Sequence, residues 1–120
     1  MTRRPKFELI FAPEAVGHLD VIERKYHRLI EKTLDEQLGF TPDRETRNRK
    51  QLNQPAPFDA TWELRLGPNN RFRVFYEIDF EDKLVCILAI GLKEGNRLII
   101  GGEELNRLVS EFSAAIRNAD

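Results

Sequence analysis

Two alternating apolar runs joined by a turn constrain this chain more than any other feature. Trp62, Leu64 and Leu66 alternate with Thr61, Glu63 and Arg65. After Gly67-Pro68-Asn69-Asn70, residues Phe72, Val74, Tyr76 and Ile78 alternate with Arg71, Arg73, Phe75, Glu77 and Asp79. A period of two marks a strand with one buried face. Glycine and asparagine accept left-handed backbone and proline presets φ, so the segment between the runs is a turn. The two runs therefore predict an antiparallel hairpin whose apolar positions share one face.

Parity then determines what the other face carries. Matching the apolar faces sets Leu66 opposite Phe72 and Leu64 opposite Val74, hence Arg65 opposite Arg73. A slip of two residues would set Arg65 opposite Arg71 instead. In either register two guanidiniums are neighbours on a sheet face that is expected to be exposed. Like charges directly opposed destabilise a pair by up to about 1 kcal/mol. The pair is tolerated when an anion answers it. Glu63, on the same face, is one candidate; an incoming phosphate, held by bidentate hydrogen bonds that lysine cannot match, is the other.

The remaining elements follow from periodicity. Phe7, Leu9 and Phe11 alternate and predict a first strand. Pro13 opens a short helix at a position where its missing N–H is harmless. Asp20 and Glu23 have the spacing of a capping box and predict the start of a second helix. Its stripe is Ile22, Tyr26, Leu29, Ile30, Thr33, Leu34 and Leu38, with Gly39 as a C′ residue and Pro42 beyond. Residues 40–60 hold Pro42, Pro55 and Pro57 and show no period. That length exceeds the roughly 12–15 residues at which loops become uncommon. Leu84 to Ile90 is almost continuously apolar, as expected of a central strand covered on both faces; Cys86 falls inside it as a small, inert hydrophobe. Gly91 to Gly102 reads as a connection carrying Lys93 and Arg97. Gly101-Gly102-Glu103-Glu104 is expected to begin a last helix with the apolar face Leu105, Leu108, Val109, Phe112 and Ile116. The predicted order is β-α-α-β-β-β-α. This is an α+β fold in which an N-terminal helical hairpin and a C-terminal helix pack on a small, mainly antiparallel sheet.

With 120 residues, the chain is read as one domain spanning 1–120. It is 41% hydrophobic and 32% charged, the balance of a globular protein. No apolar stretch approaches the roughly 20 residues that cross a bilayer, so no membrane partner is expected. Glu8 and Pro13 interrupt what would have to be a signal-peptide core after Arg3, Arg4 and Lys6. A lone cysteine excludes an internal disulfide framework and a Cys-rich zinc site. His18 and His27 lack ligand spacing and are placed on helix surfaces, so no metal or other cofactor is expected. The cytoplasm is the expected compartment.

The formal net charge of −1 excludes a uniformly basic nucleic-acid coat. The charge is nevertheless uneven. Between Arg44 and Arg73 seven cations face three anions, an excess of four, which leaves −5 for the rest. Lys50 extends the basic segment toward the arginine pair, and Lys93 approaches from the strand beyond.

At these residues the sequence resembles the RelE/ParE toxins of bacterial type II toxin–antitoxin systems. The resemblance is carried by Asn-Arg-Lys-Gln-Leu (48–52), Trp-Glu-Leu-Arg-Leu-Gly (62–67), Arg-Phe-Arg-Val-Phe-Tyr-Glu-Ile (71–78) and Leu-Ala-Ile-Gly-Leu-Lys (88–93). It implies a compact α+β toxin neutralised by a cognate antitoxin protein. In the RelE-like branch it implies an mRNA interferase, a ribosome-dependent endoribonuclease that uses the RNA 2′-OH as nucleophile without a metal. In the ParE-like branch it implies an inhibitor of DNA gyrase. A degenerate member that only binds its antitoxin is a third reading. By resemblance Arg65, Arg73 and Lys93 are the catalytic candidates: Arg73 as phosphate clamp, Lys93 as leaving-group or charge stabiliser. Lys50, Arg71 and Arg49 are the candidates for RNA or phosphate binding. The sequence departs from the RelE-like pattern in two places. Glu63 stands where a lysine is common, and Arg97-Leu98-Ile99-Ile100 stands where a tyrosine is common.

Overall fold

A computed structural model describes residues 6–104. In chain order these form β1 (Glu8–Phe11), α1 (Pro13–Asp20), α2 (His27–Leu38), β2 (Arg49–Gln51), β3 (Trp62–Leu66), β4 (Phe72–Asp79), β5 (Leu84–Glu94), β6 (Arg97–Ile100) and β7 (Glu103–Glu104). The seven strands make one sheet in the order β2-β3-β4-β5-β6-β7, with β1 beside β5. The β1–β5 pairing is parallel and the others are antiparallel. The fold is thus the expected α+β arrangement of helices on a mainly antiparallel sheet.

The helices cover one face. Ala15 and Leu19 of α1 and Ile30, Leu34 and Leu38 of α2 pack on Leu64, Val74, Tyr76, Val85, Ile87 and Ile90. The register between β4 and β5 shifts after Phe75, which pairs with Ala89 while Tyr76 pairs with Ile87. Leu88 is the extra residue of a bulge, and it reverses the parity of β5. That reversal explains the unbroken apolar run. Val85 and Ile87 on one side of the bulge and Ile90 on the other all reach the helix-covered core, while Ala89 joins a second cluster behind the sheet. Cys86 is half-buried, and burial, then Glu77 and Asp79, push its thiol pKa up. It is therefore a poor nucleophile.

One edge of β5 is divided between two partners, β1 along Leu84–Ile87 and β6 along Gly91–Glu94. His18 of α1 fills the gap between them. Its Nδ1 accepts the Ile90 N–H at 3.3 Å, and its ring meets the edge of Phe58 at 5.9 Å. Burial lowers its pKa against the opposing charge of Glu14. His18 is therefore not the helix-surface residue expected, because the gap leaves a backbone donor that needs an acceptor.

Five other expectations change. Gly91 to Gly102 is not a plain connection: β5 runs on to Glu94 and the chain returns beside it as β6. No capping box forms at Asp20 and Glu23: Asp20 ends α1, and a short 3₁₀ turn (Arg24–Tyr26) leads into α2. Gly39 keeps right-handed backbone (φ −66°) as the cap of α2. The long connection contains β2 and a 3₁₀ turn at Pro57–Asp59. Finally, Gly101–Glu104 does not start a helix. Gly101 and Gly102, at φ +61° and +83°, turn the chain so that Glu103 and Glu104 pair with Ile100 and Ile99. The apolar stripe Leu105 to Ile116 lies outside the described residues. Among the described residues no helix is long and apolar enough to cross a membrane.

Candidate anion and RNA interface

The site grows from the β3–β4 turn. Gly67 (φ +81°), Asn69 (φ +55°) and Asn70 (φ +52°) take left-handed backbone. A Cβ on Gly67 would lie 2.5 Å from Phe72 Cδ2, so only glycine fits. The turn closes with Asn70 N–H donating to Gly67 O at 3.0 Å and Arg71 N–H to Pro68 O at 3.0 Å. The resulting register pairs Leu66 with Phe72, Leu64 with Val74 and Arg65 with Arg73.

The face that carries the arginines is not exposed, contrary to expectation. Arg73 and Glu63 each keep only 8% of their surface. Phe75 and Ala89 lie on this face beside them, and Ala60 and Ile100 cover those residues with help from Phe58 and Leu98. The arginine pair is answered internally: Glu63 Oε1 stands 3.2 Å from Arg65 Nε and 3.6 Å from Arg73 Nη1. Arg73 Nε also donates to Asn70 O at 3.3 Å. Burial and then Arg65 lower the Arg73 pKa while Glu63 opposes them; an arginine so placed remains charged.

Toward the turn the same face opens into a pocket of about 460 Å³ lined by Pro68, Asn69, Arg71, Arg73, Lys93 and Gly95. Lys93 N–H donates to Arg71 O at 2.7 Å, extending the β4–β5 ladder past Phe72 and Leu92. Arg73 on β4 and Lys93 on β5 reach the pocket from neighbouring strands, and Arg71, in right-handed backbone just before β4, lines it from the turn. Among the described residues the lining holds three cations and no carboxylate. Guanidinium and ammonium groups gathered in this way suit a phosphate.

The other candidates stand apart from this pocket. Arg65 is next to it in register but spends its Nε on Glu63. Lys50 is exposed opposite Glu63, on the same face but one strand further out. Arg49 is not on this surface at all. It pairs with Leu64, faces the helices, and is 5% exposed. Its guanidinium donates to Thr41 O and to Gln37 Oε1, and its buried Nε has no partner among the described residues. Alternation along β2 carried that information, since adjacent Arg49 and Lys50 cannot share a face. Beside Arg49, Tyr76 donates its hydroxyl to Pro42 O at 2.7 Å, and burial drives its pKa upward. Sequence reading missed the turn residues Asn69 and Gly95; the turn signals that flank β4 and β5 mark where they stand. Among the described residues no three His, Cys, Asp or Glu side chains gather as metal ligands.

Fold and site together define a small α+β domain with a cationic pocket at the end of its central hairpin. No family model and no curated protein matches the chain. Among solved structures it is similar to a chain of the RelBE2 toxin–antitoxin complex from Mycobacterium tuberculosis. The TM-score is 0.56 at 22% identity, over 73% of this chain and 99% of that chain. The fold is RelE-like.

Proposed function

We propose that residues 1–120 form the toxin of a type II toxin–antitoxin pair, held inactive by a cognate antitoxin, that cleaves translated mRNA on the ribosome in the cytoplasm. The convergence of Arg71, Arg73 and Lys93 on one pocket carries this reading. The similarity to a chain of a toxin–antitoxin complex supports it.

In the proposed reaction the RNA 2′-oxygen attacks the adjacent phosphorus, a 2′,3′-cyclic phosphate forms, and the bond to the 5′-oxygen breaks. Arg71 and Arg73 balance charge on the non-bridging oxygens, and the Lys93 ammonium gives a proton to the departing 5′-oxygen. Arg65 acts one step back, by sharing Glu63 with Arg73 and moderating its pull. Among the described residues the pocket lining offers no carboxylate or imidazole to take the 2′-OH proton. In the proposal that proton goes to water or to a group on the ribosome.

Primer extension on transcripts after induction tests the reading. Cuts confined to translated mRNA, and lost in Arg71→Ala and Lys93→Ala, are expected. Growth arrest with intact transcripts would sink it. One observation favours a second reading, a ParE-like inhibitor of DNA gyrase. Glu63 already answers both arginines, so their pairing requires no phosphate. Supercoiling by purified gyrase should then fall on addition of the chain.

A further inference from the structure

Arg71 lines a second depression as well as the phosphate pocket. This groove, of about 160 Å³, is walled by Tyr26, Phe72 and Leu92 and rimmed by Glu23 and Glu94. The Tyr26 ring is tilted against Phe72 with centroids 5.1 Å apart, and the Arg71 guanidinium carbon sits 5.8 Å from the ring centre. Among the described residues the rim carboxylates are engaged in surface ion pairs, Glu23 with Lys25 at 3.5 Å and Glu94 with Arg97 at 3.8 Å. Such pairs are weak and give way to a better partner.

An aromatic ring beside a guanidinium is a stacking platform for a nucleobase. An ionised carboxylate only accepts hydrogen bonds, so it selects a base edge that offers donors. Guanine presents two adjacent donors, N1–H and N2–H, on its Watson–Crick edge; adenine presents one amino group. We propose that this groove is a nucleobase subsite, selective for guanine, contiguous through Arg71 with the phosphate pocket. The proposal rests on the reading of that pocket as a phosphate site. It commits to RNA rather than to a basic peptide because Arg71 is shared by both depressions.

Amide chemical shifts of the purified chain separate the possibilities. The probes are inorganic phosphate, guanosine 3′,5′-bisphosphate and adenosine 3′,5′-bisphosphate. Phosphate should shift Arg71, Arg73, Lys93 and Gly95. The guanosine probe should also shift Tyr26 and Leu92 and bind at least about fivefold tighter than phosphate, from one stacking contact. Tyr26→Leu, which keeps an apolar side chain against Phe72, should remove that gain and leave phosphate binding intact; Tyr26→Phe should retain it. The double variant Glu23→Gln/Glu94→Gln should lose the preference for guanosine over adenosine.

If both nucleotides shift only the phosphate pocket, with the affinity of phosphate, the subsite is overturned and the phosphate site stands. If no probe shifts the pocket, the phosphate reading falls and takes the subsite with it. If N-acetyl-arginine amide shifts Tyr26 and Leu92 while guanosine bisphosphate leaves them unmoved, the groove is a peptide site and the proposal is wrong.

Discussion

The two faces of the β3–β4 hairpin share a backbone and a register but follow different chemistry. Toward the helices, Leu64, Val74, Phe72 and Tyr76 are at most 1% exposed and packed into the main cluster. On the reverse face the same strands set Arg65 against Arg73 and bridge them with Glu63. The first face gains stability from apolar area removed from water. On the second, two nearly buried ions are tolerated because each answers the other, an arrangement with little net gain. The ion pair on the reverse face is thus held in place by apolar packing, chiefly that of the first face and, around it, the smaller cluster of Phe75, Ala89, Ala60 and Ile100.

Breaking the helix-covered face should therefore have the largest effect. Leu64→Ala should lower unfolding stability by about 2–5 kcal/mol, read as a drop in urea midpoint. Glu63→Gln sharpens the comparison from the other side. It leaves Arg73 opposite Arg65 without an anion and should reduce stability by about 1–3 kcal/mol. Added phosphate should restore more stability to this variant than to the wild type, since it replaces the lost partner. If phosphate stabilises both equally, Glu63 does not compete for the site.

Tyr76→Phe removes the buried hydroxyl donor to Pro42 O and leaves that carbonyl unpaired, a loss of about 1 kcal/mol in urea unfolding. The smallest effect concerns His18. Its folded pKa is lowered, so the unfolded chain takes up the proton first. Stability from this site should be complete above the ordinary value of 6.5 and fall as the pH drops below it. A urea series at pH 7.5 and about 5.5 should show a smaller decline for His18→Gln than for the wild type, because glutamine does not titrate.

The hairpin, its register and the opposed arginines were legible because period-two alternation and turn chemistry are local signals. The helical stripe of α2 was legible for the same reason. What surrounds the reverse face was not. The burial of Arg73 and Glu63 depends on Phe58 and Ala60, in a segment without strand or helix period, and on Ile100, which reaches that face from β6. The bulge at Leu88 left only an apolar run too long for one face. The Gly101-Gly102 pair, taken as a prelude to a helix, is equally a two-residue hairpin signal; β6 before it settles the choice. Arg49 was grouped with Lys50 by charge, although adjacent strand residues point to opposite faces.

The central claim is that the pocket of Arg71, Arg73 and Lys93 cleaves RNA. Incubating the purified chain with translating ribosomes and end-labelled mRNA tests it most directly, with the fragment ends identified chemically. The account predicts an upstream fragment ending in a 2′,3′-cyclic phosphate and a downstream one beginning with a 5′-hydroxyl. Both should be lost in Arg71→Ala/Lys93→Ala while the unfolding free energy from urea titration stays within about 1 kcal/mol of the wild type. Intact mRNA with the wild-type chain, or undiminished cleavage by the double variant, would contradict it.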